Sequence, residues 1–108
     1  MNLQVDRKYS ITLIFPLKNH GADLCKNTFA EVYDFFKDKK RRAEDDEKKS
    51  SLEFILAVMD AAEECGVCRT IEEVSCDRDK SIASITFSFT VKVLLENFEK
   101  RLEAILSE

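Results

Sequence analysis

Polar and apolar residues first alternate along this chain. Tyr9, Ile11, Leu13, Phe15 and Leu17 are separated by Ser10, Thr12 and Ile14. A period of two in β-branched and aromatic residues predicts a strand. Leu3 and Val5 keep the same phase, so pairing can begin earlier. Pro16 has no N–H to give to a ladder and marks an edge position or the strand's end. Asn19-His20-Gly21 is turn material. The period then lengthens. Behind Asp23, a residue suited to an N-cap, Leu24, Thr28, Phe29, Val32, Phe35 and Phe36 recur at helical spacing. They predict an amphipathic helix whose aromatic stripe faces the core.

A second helix is expected from about Ser51. Ser50-Ser51-Leu52-Glu53 has the form of a capping box. Leu52, Ile55, Leu56, Met59 and Ala62 form one face, and Phe54, Val58 and Ala61 add another. A helix apolar on two sides should be the most buried one. Gly66 suits the left-handed position just past its end. Ile71, Val74 and Cys76 then mark a strand around Arg69 to Cys76, and Asp77-Arg78-Asp79-Lys80 makes the turn. Ile71 and Val74 are out of phase, and a bulge at Glu72-Glu73 would bring both inward. The cleanest alternation follows: Ala83, Ile85, Phe87, Phe89 and Val91 between Ser84, Thr86, Ser88 and Thr90. Leu94, Leu95, Phe98, Leu102 and Ile105 form the stripe of a last helix, with Glu96 and Lys100 paired on its outside and no strong cap beyond Thr90.

The predicted order is β-α-α-β-β-α in one domain spanning residues 1–108, of the α+β class. It is a two-layer sandwich: a three-stranded, mainly antiparallel sheet with its helices on one face. Ile11, Leu13, Phe15, Ile85, Phe87 and Phe89 should bury against Phe29, Val32, Leu56, Met59, Phe98 and Leu102. The Ser/Thr face can stay in water. The order resembles a ferredoxin-like fold without its last strand and with two helices in its first connection. That resemblance is topological and does not fix a function.

Charge narrows the function classes. The 108 residues hold 17 Lys and Arg against 21 Asp and Glu, a net −4 with a pI near 5.1. No apolar run approaches the roughly 18–20 residues needed to cross a bilayer. Met1 to Asp6 has neither the basic start nor the apolar block of a signal peptide. A cytoplasmic protein with no membrane partner is expected. Residues 37–49 are almost wholly charged. Lys37, Lys39, Lys40, Arg41 and Arg42 come first, then Glu44, Asp45, Asp46 and Glu47. A solvated helix end and loop is the plain reading, and Glu44–Lys48 and Asp45–Lys49 could pair if the run is helical. The acids would repel a nucleic-acid backbone, and the Ser/Thr face lacks the aromatics of an RNA platform, so direct nucleic-acid binding is not expected.

Candidate chemistry is sparse. Cys65-Gly66-Val67-Cys68 is a CxxC, and His20 with Cys25 would complete a Cys3His set for zinc. A metal-binding knuckle would show a second tight pair, whereas His20 and Cys25 are loosely spaced, and this CxxC closes a helix. The expectation is therefore no metal and no cofactor. With a single His and only two Gly there is no catalytic triad and no phosphate loop, so no enzyme is expected. The favoured function is a small acidic protein-interaction module of the inhibitor, immunity or anti-defence kind, acting on another protein. Its contacts are expected at Glu44, Asp45, Asp46 and Glu47, and at Glu72 and Glu73, where carboxylates could occupy a groove built for phosphates. The alternative is a small-molecule- or metal-sensing regulatory domain. A homodimer through the Ser/Thr face or an edge strand is a third class.

Overall fold

The computed structural model describes residues 9–16, 28–71, 73–77 (backbone only) and 82–107. Its elements are β1 (Tyr9–Pro16), α1 (Phe29–Arg42), α2 (Asp46–Glu64), β2 (Glu73–Asp77), β3 (Ile82–Phe89) and α3 (Lys92–Leu106). The fold is α+β. β3 lies in the middle of the sheet, antiparallel to both neighbours, in the order β1-β3-β2. β1 and β2 are therefore parallel to each other and need a long crossover, which α1 and α2 supply. Among the described residues no helix is long and apolar enough to cross a membrane.

The alternation in β1 and β3 becomes two chemically distinct sheet faces. Register pairs Ile11 with Phe87, Leu13 with Ile85 and Phe15 with Ala83 on the core face. On the other face Ser10 meets Ser88 and Thr12 meets Thr86. Phe15, Ala83, Ile85, Phe87 and Phe89 are buried. Ile11 and Leu13, expected to be buried, are only half covered; they lie on an outer strand, with no neighbouring strand on its other edge among the described residues. Phe98 of α3 packs edge-on to Phe87 at 5.6 Å between ring centres and tilted to Phe89 at 5.4 Å. Phe54 of α2 stands edge-on to Phe15 at 5.8 Å. α1 buries Phe29, Val32 and Phe36, chiefly against α2.

The Ser/Thr face is not uniformly wet. Ser10 and Thr12 are exposed, but Thr86 and Ser88 are buried. Hydroxyl pairs satisfy them: Ser10 to Ser88 at 3.1 Å and Thr12 to Thr86 at 2.8 Å. Central position in the sheet hides side chains that alternation alone assigns to solvent.

Element boundaries also move. α1 begins at Phe29, not just behind Asp23, which lies outside the described residues. Thr28 is its N-cap, with extended backbone and a hydroxyl that accepts from the Glu31 N–H at 3.3 Å. The same hydroxyl donates to the Glu31 carboxylate at 2.7 Å. α2 begins at Asp46, not Ser51, because Asp45 caps it by accepting from the Glu47 N–H at 2.8 Å. Its far end is a Schellman stop. Gly66 has φ of 83° and donates to the Glu63 carbonyl at 3.1 Å, and Val67 donates to the Ala62 carbonyl at 3.0 Å. The second expected strand starts at Glu73 rather than Arg69, so Ile71 is buried ahead of it and not within it. α3 starts after Val91, which offers no side-chain cap.

Candidate protein-interaction surface

Two helix ends sort the charged segment. The last turn of α1 holds Lys39, Lys40, Arg41 and Arg42, where the negative end of the helix dipole favours cations. The first turn of α2 holds Asp46 and Glu47, where the positive end favours anions. Ala43 joins them. It is buried, and its N–H donates to the Lys40 carbonyl at 3.2 Å. Residues 37–49 are thus one helix end, a short turn and one helix start. Glu44 and Asp45 precede α2, so they are not in the continuous helix that the expected i,i+4 pairs with Lys48 and Lys49 required.

Glu44, Asp45, Asp46 and Glu47 are all exposed and lie together at this hairpin tip. Asp45 has a structural duty as the cap. The other acidic pair fares differently. Glu72 lies outside the described residues, and Glu73 opens β2 opposite Thr86. Pairing runs from there without interruption to Asp77 opposite Ile82, so the strand is regular from Glu73 onward. The bulge expected at Glu72-Glu73 turns on Glu72 and so lies outside the described residues. Val74 simply falls opposite Ile85 once the strand begins two residues after Ile71.

Beside the tip, an open groove of about 740 Å³ runs between α1 and α2, lined by Asp34, Lys37, Asp38, Lys40, Arg41, Lys49 and Glu53. Its charges alternate. Asp38 pairs with Arg41 and, at 3.2 Å, with Arg42, and Lys40 approaches Glu53 at 3.7 Å. Further along the hairpin, Tyr33 stacks on Phe29 with ring centres 6.2 Å apart, in a hollow also lined by Asp34, Asp60 and Glu63. The hydrogen bond from the Tyr33 hydroxyl to Asp60 holds the phenol pKa above its usual 10.0, and burial and the neighbouring carboxylates act in the same direction. Nothing in the sequence announced this grouping, since Tyr33 and Asp60 meet only when α1 packs on α2.

The cysteine motif reads as a helix stop. Cys65 is the buried C-cap of α2, Gly66 the left-handed residue, and Val67 the buried residue after it. Cys68 is half-buried, and its N–H donates to the Ser88 carbonyl at 2.8 Å. Each residue between the two thiols therefore serves the turn. His20 and Cys25 lie outside the described residues. Among the described residues no three His, Cys, Asp or Glu side chains gather as a metal ion would require. No family model matches the chain, and no curated protein and no solved structure matches it.

Proposed function

We propose that the chain is a protein-interaction module of the inhibitor, immunity or anti-defence kind, and that it docks the acidic tip of the α1–α2 hairpin on a basic surface of a partner protein. The observation that supports this reading is the tip's construction. Four consecutive exposed carboxylates sit on a turn pinned by the Asp45 cap and by buried Ala43. α2 roots that turn in the core through Leu52, Ile55, Val58 and Met59. Fixed charges on a stiff support lose little freedom on binding and steer association. The proposed scaffold is ferredoxin-like, a split β-α-β unit with β3 between β1 and β2. The proposed compartment is the cytoplasm, which suits the free thiols of Cys65 and Cys68.

The test compares the tagged chain with a Glu44→Lys/Asp46→Lys variant that leaves Asp45 in place. Both are used to capture proteins from the native cell, at low salt and at about 1 M salt, where screening acts beyond only ~3 Å. A partner held by the parent at low salt, and lost to the variant and to high salt, supports the reading. Equal capture by both proteins removes the acidic tip from it. A second reading, a small-molecule-sensing domain, draws on the α1–α2 groove, whose volume falls within the ~300–1,000 Å³ of ligand sites. A ligand that raises Tm in the parent, and fails to in Lys37→Ala/Lys49→Ala, would favour it.

A further inference from the structure

β1 is an outer strand, and among the described residues no strand lies along its other edge. Such an edge offers unpaired N–H and C=O groups, and proteins guard against pairing there with charges, bulges or short strands. β1 carries none of these guards over its length. Tyr-Ser-Ile-Thr-Leu-Ile-Phe-Pro contains no charged residue in a chain that is 35% charged. Its eight residues pair with β3 in unbroken register, and only Pro16 at the end lacks a donor. Several of its apolar side chains are also incompletely covered. Ile11 and Leu13 point to the core side yet stay half-covered, and on the opposite face Ile14 is 63% exposed.

We infer that this edge pairs with β1 of a second copy, antiparallel about a twofold axis at Thr12, making one continuous six-stranded sheet. The sequence of β1 is self-complementary in that register. An axis normal to the sheet keeps the helices of both copies on one side and sets core-face residues against core-face residues. Ile11 then opposes Leu13 of the second copy, Tyr9 opposes Phe15, Ser10 opposes Ile14, and Thr12 meets itself. Every core-side pair is apolar, so the half-covered Ile11 and Leu13 cover each other. Pro16 falls outside the seven paired residues and costs no ladder bond. With a net charge of −4 per chain, an uncharged strand is also where two copies approach with least repulsion. An isologous contact of this kind closes on itself as a dimer and does not extend into a fibre.

The test is sedimentation equilibrium of the full chain, with amide hydrogen exchange across residues 9–16. The parent is expected to sediment as two chains. Thr12→Lys sets two ammonium groups face to face at the axis and should return the mass of one chain with unchanged circular dichroism. Thr12→Val, which loses the Thr86 hydroxyl bond but adds no charge, should remain two chains, as should Val93→Lys on exposed α3. Ser10→Lys/Ile14→Lys, which sets a lysine opposite a lysine on either side of the axis, gives the same reading as Thr12→Lys if the latter fails to fold. Alternate β1 amides, those directed away from β3, should exchange faster in the monomeric variant than in the parent. A parent that stays a single chain at the highest concentration reached overturns the inference. So does a dimer that survives both lysines, or outward amides already protected in a dilute monomer, which would mean that other residues of the chain occupy the edge.

Discussion

At Tyr33 a phenol is set beside three carboxylates, and its proton becomes a reporter of how α1 sits on α2. The hydrogen bond to Asp60 favours the neutral phenol, so its pKa in the folded chain lies above 10.0. The folded state then keeps a proton that the unfolded state gives up. The associated stability is complete below pH ~10 and is lost as pH rises through the folded pKa. Ultraviolet titration should find one of the two tyrosines ionising late in the parent. Asp60→Asn should bring that transition down, and Tyr33→Phe should abolish it. Gly66 is a second position where one residue decides local structure. Its φ of 83° is costly for any side chain, and a Cβ there would stand 3.3 Å from Leu94 Cδ1. Leu94 is flexible enough to give way, so the backbone sets the penalty. Gly66→Ala should lose about 1–2 kcal/mol in urea unfolding, and Gly66→Asn less, since Asn tolerates the left-handed region better.

Helix starts show how local chemistry selects among candidate caps. Thr28-Phe29-Ala30-Glu31 has the sequence of a capping box, and the Thr28 hydroxyl caps α1 while donating to the Glu31 carboxylate. Thr28→Ala should therefore destabilise the fold by about 1 kcal/mol in chemical denaturation, and Thr28→Ser should restore most of the loss. An Asp23 cap would leave both substitutions silent. Thr28 is hard to read as a cap because it also fits the apolar spacing of the stripe that follows it. Asp45 is hidden for the converse reason. The turn it starts, Asp46 to Lys49, contains no apolar residue, so hydrophobic periodicity gives no helix signal before the Ser50 box. β3, α3, the buried faces of α2 and the Gly66 stop were legible, because in each the period or the φ requirement coincides with what the core demands. The candidate surface was legible only in part. Contiguity showed Glu44 to Glu47 as a group, but the Tyr33 hollow needs two helices brought together. The expected Glu72-Glu73 bulge lies outside the described residues, and only the strand start is placed, at Glu73.

Across the molecule, β3 is the strand on which both sides of the sheet depend. Phe87 is fully buried on the core side against Phe98, and Ser88, its neighbour, is buried on the other side through its hydroxyl pair with Ser10. Burial is thus similar, but the physics behind it differs. Phe87→Ala removes a ring from a packed layer and leaves a cavity that α3 cannot close without shifting Phe98, which also contacts Phe89. The expected loss is about 3–5 kcal/mol. Ser88→Ala removes one hydroxyl, and its former partner Ser10 is exposed and can turn to water. That loss should be about 0.5–1.5 kcal/mol, the net worth of an ordinary hydrogen bond. Urea unfolding of both variants, followed by helix and by aromatic signals, checks the order and whether the two signals fall together. Coincident transitions with Phe87→Ala far the weaker would show that the helix layer and the sheet form one cooperative unit through the Phe87–Phe98 contact. Equal losses would mean that the polar face is packed as tightly as the core face and that the sheet carries weight on both sides.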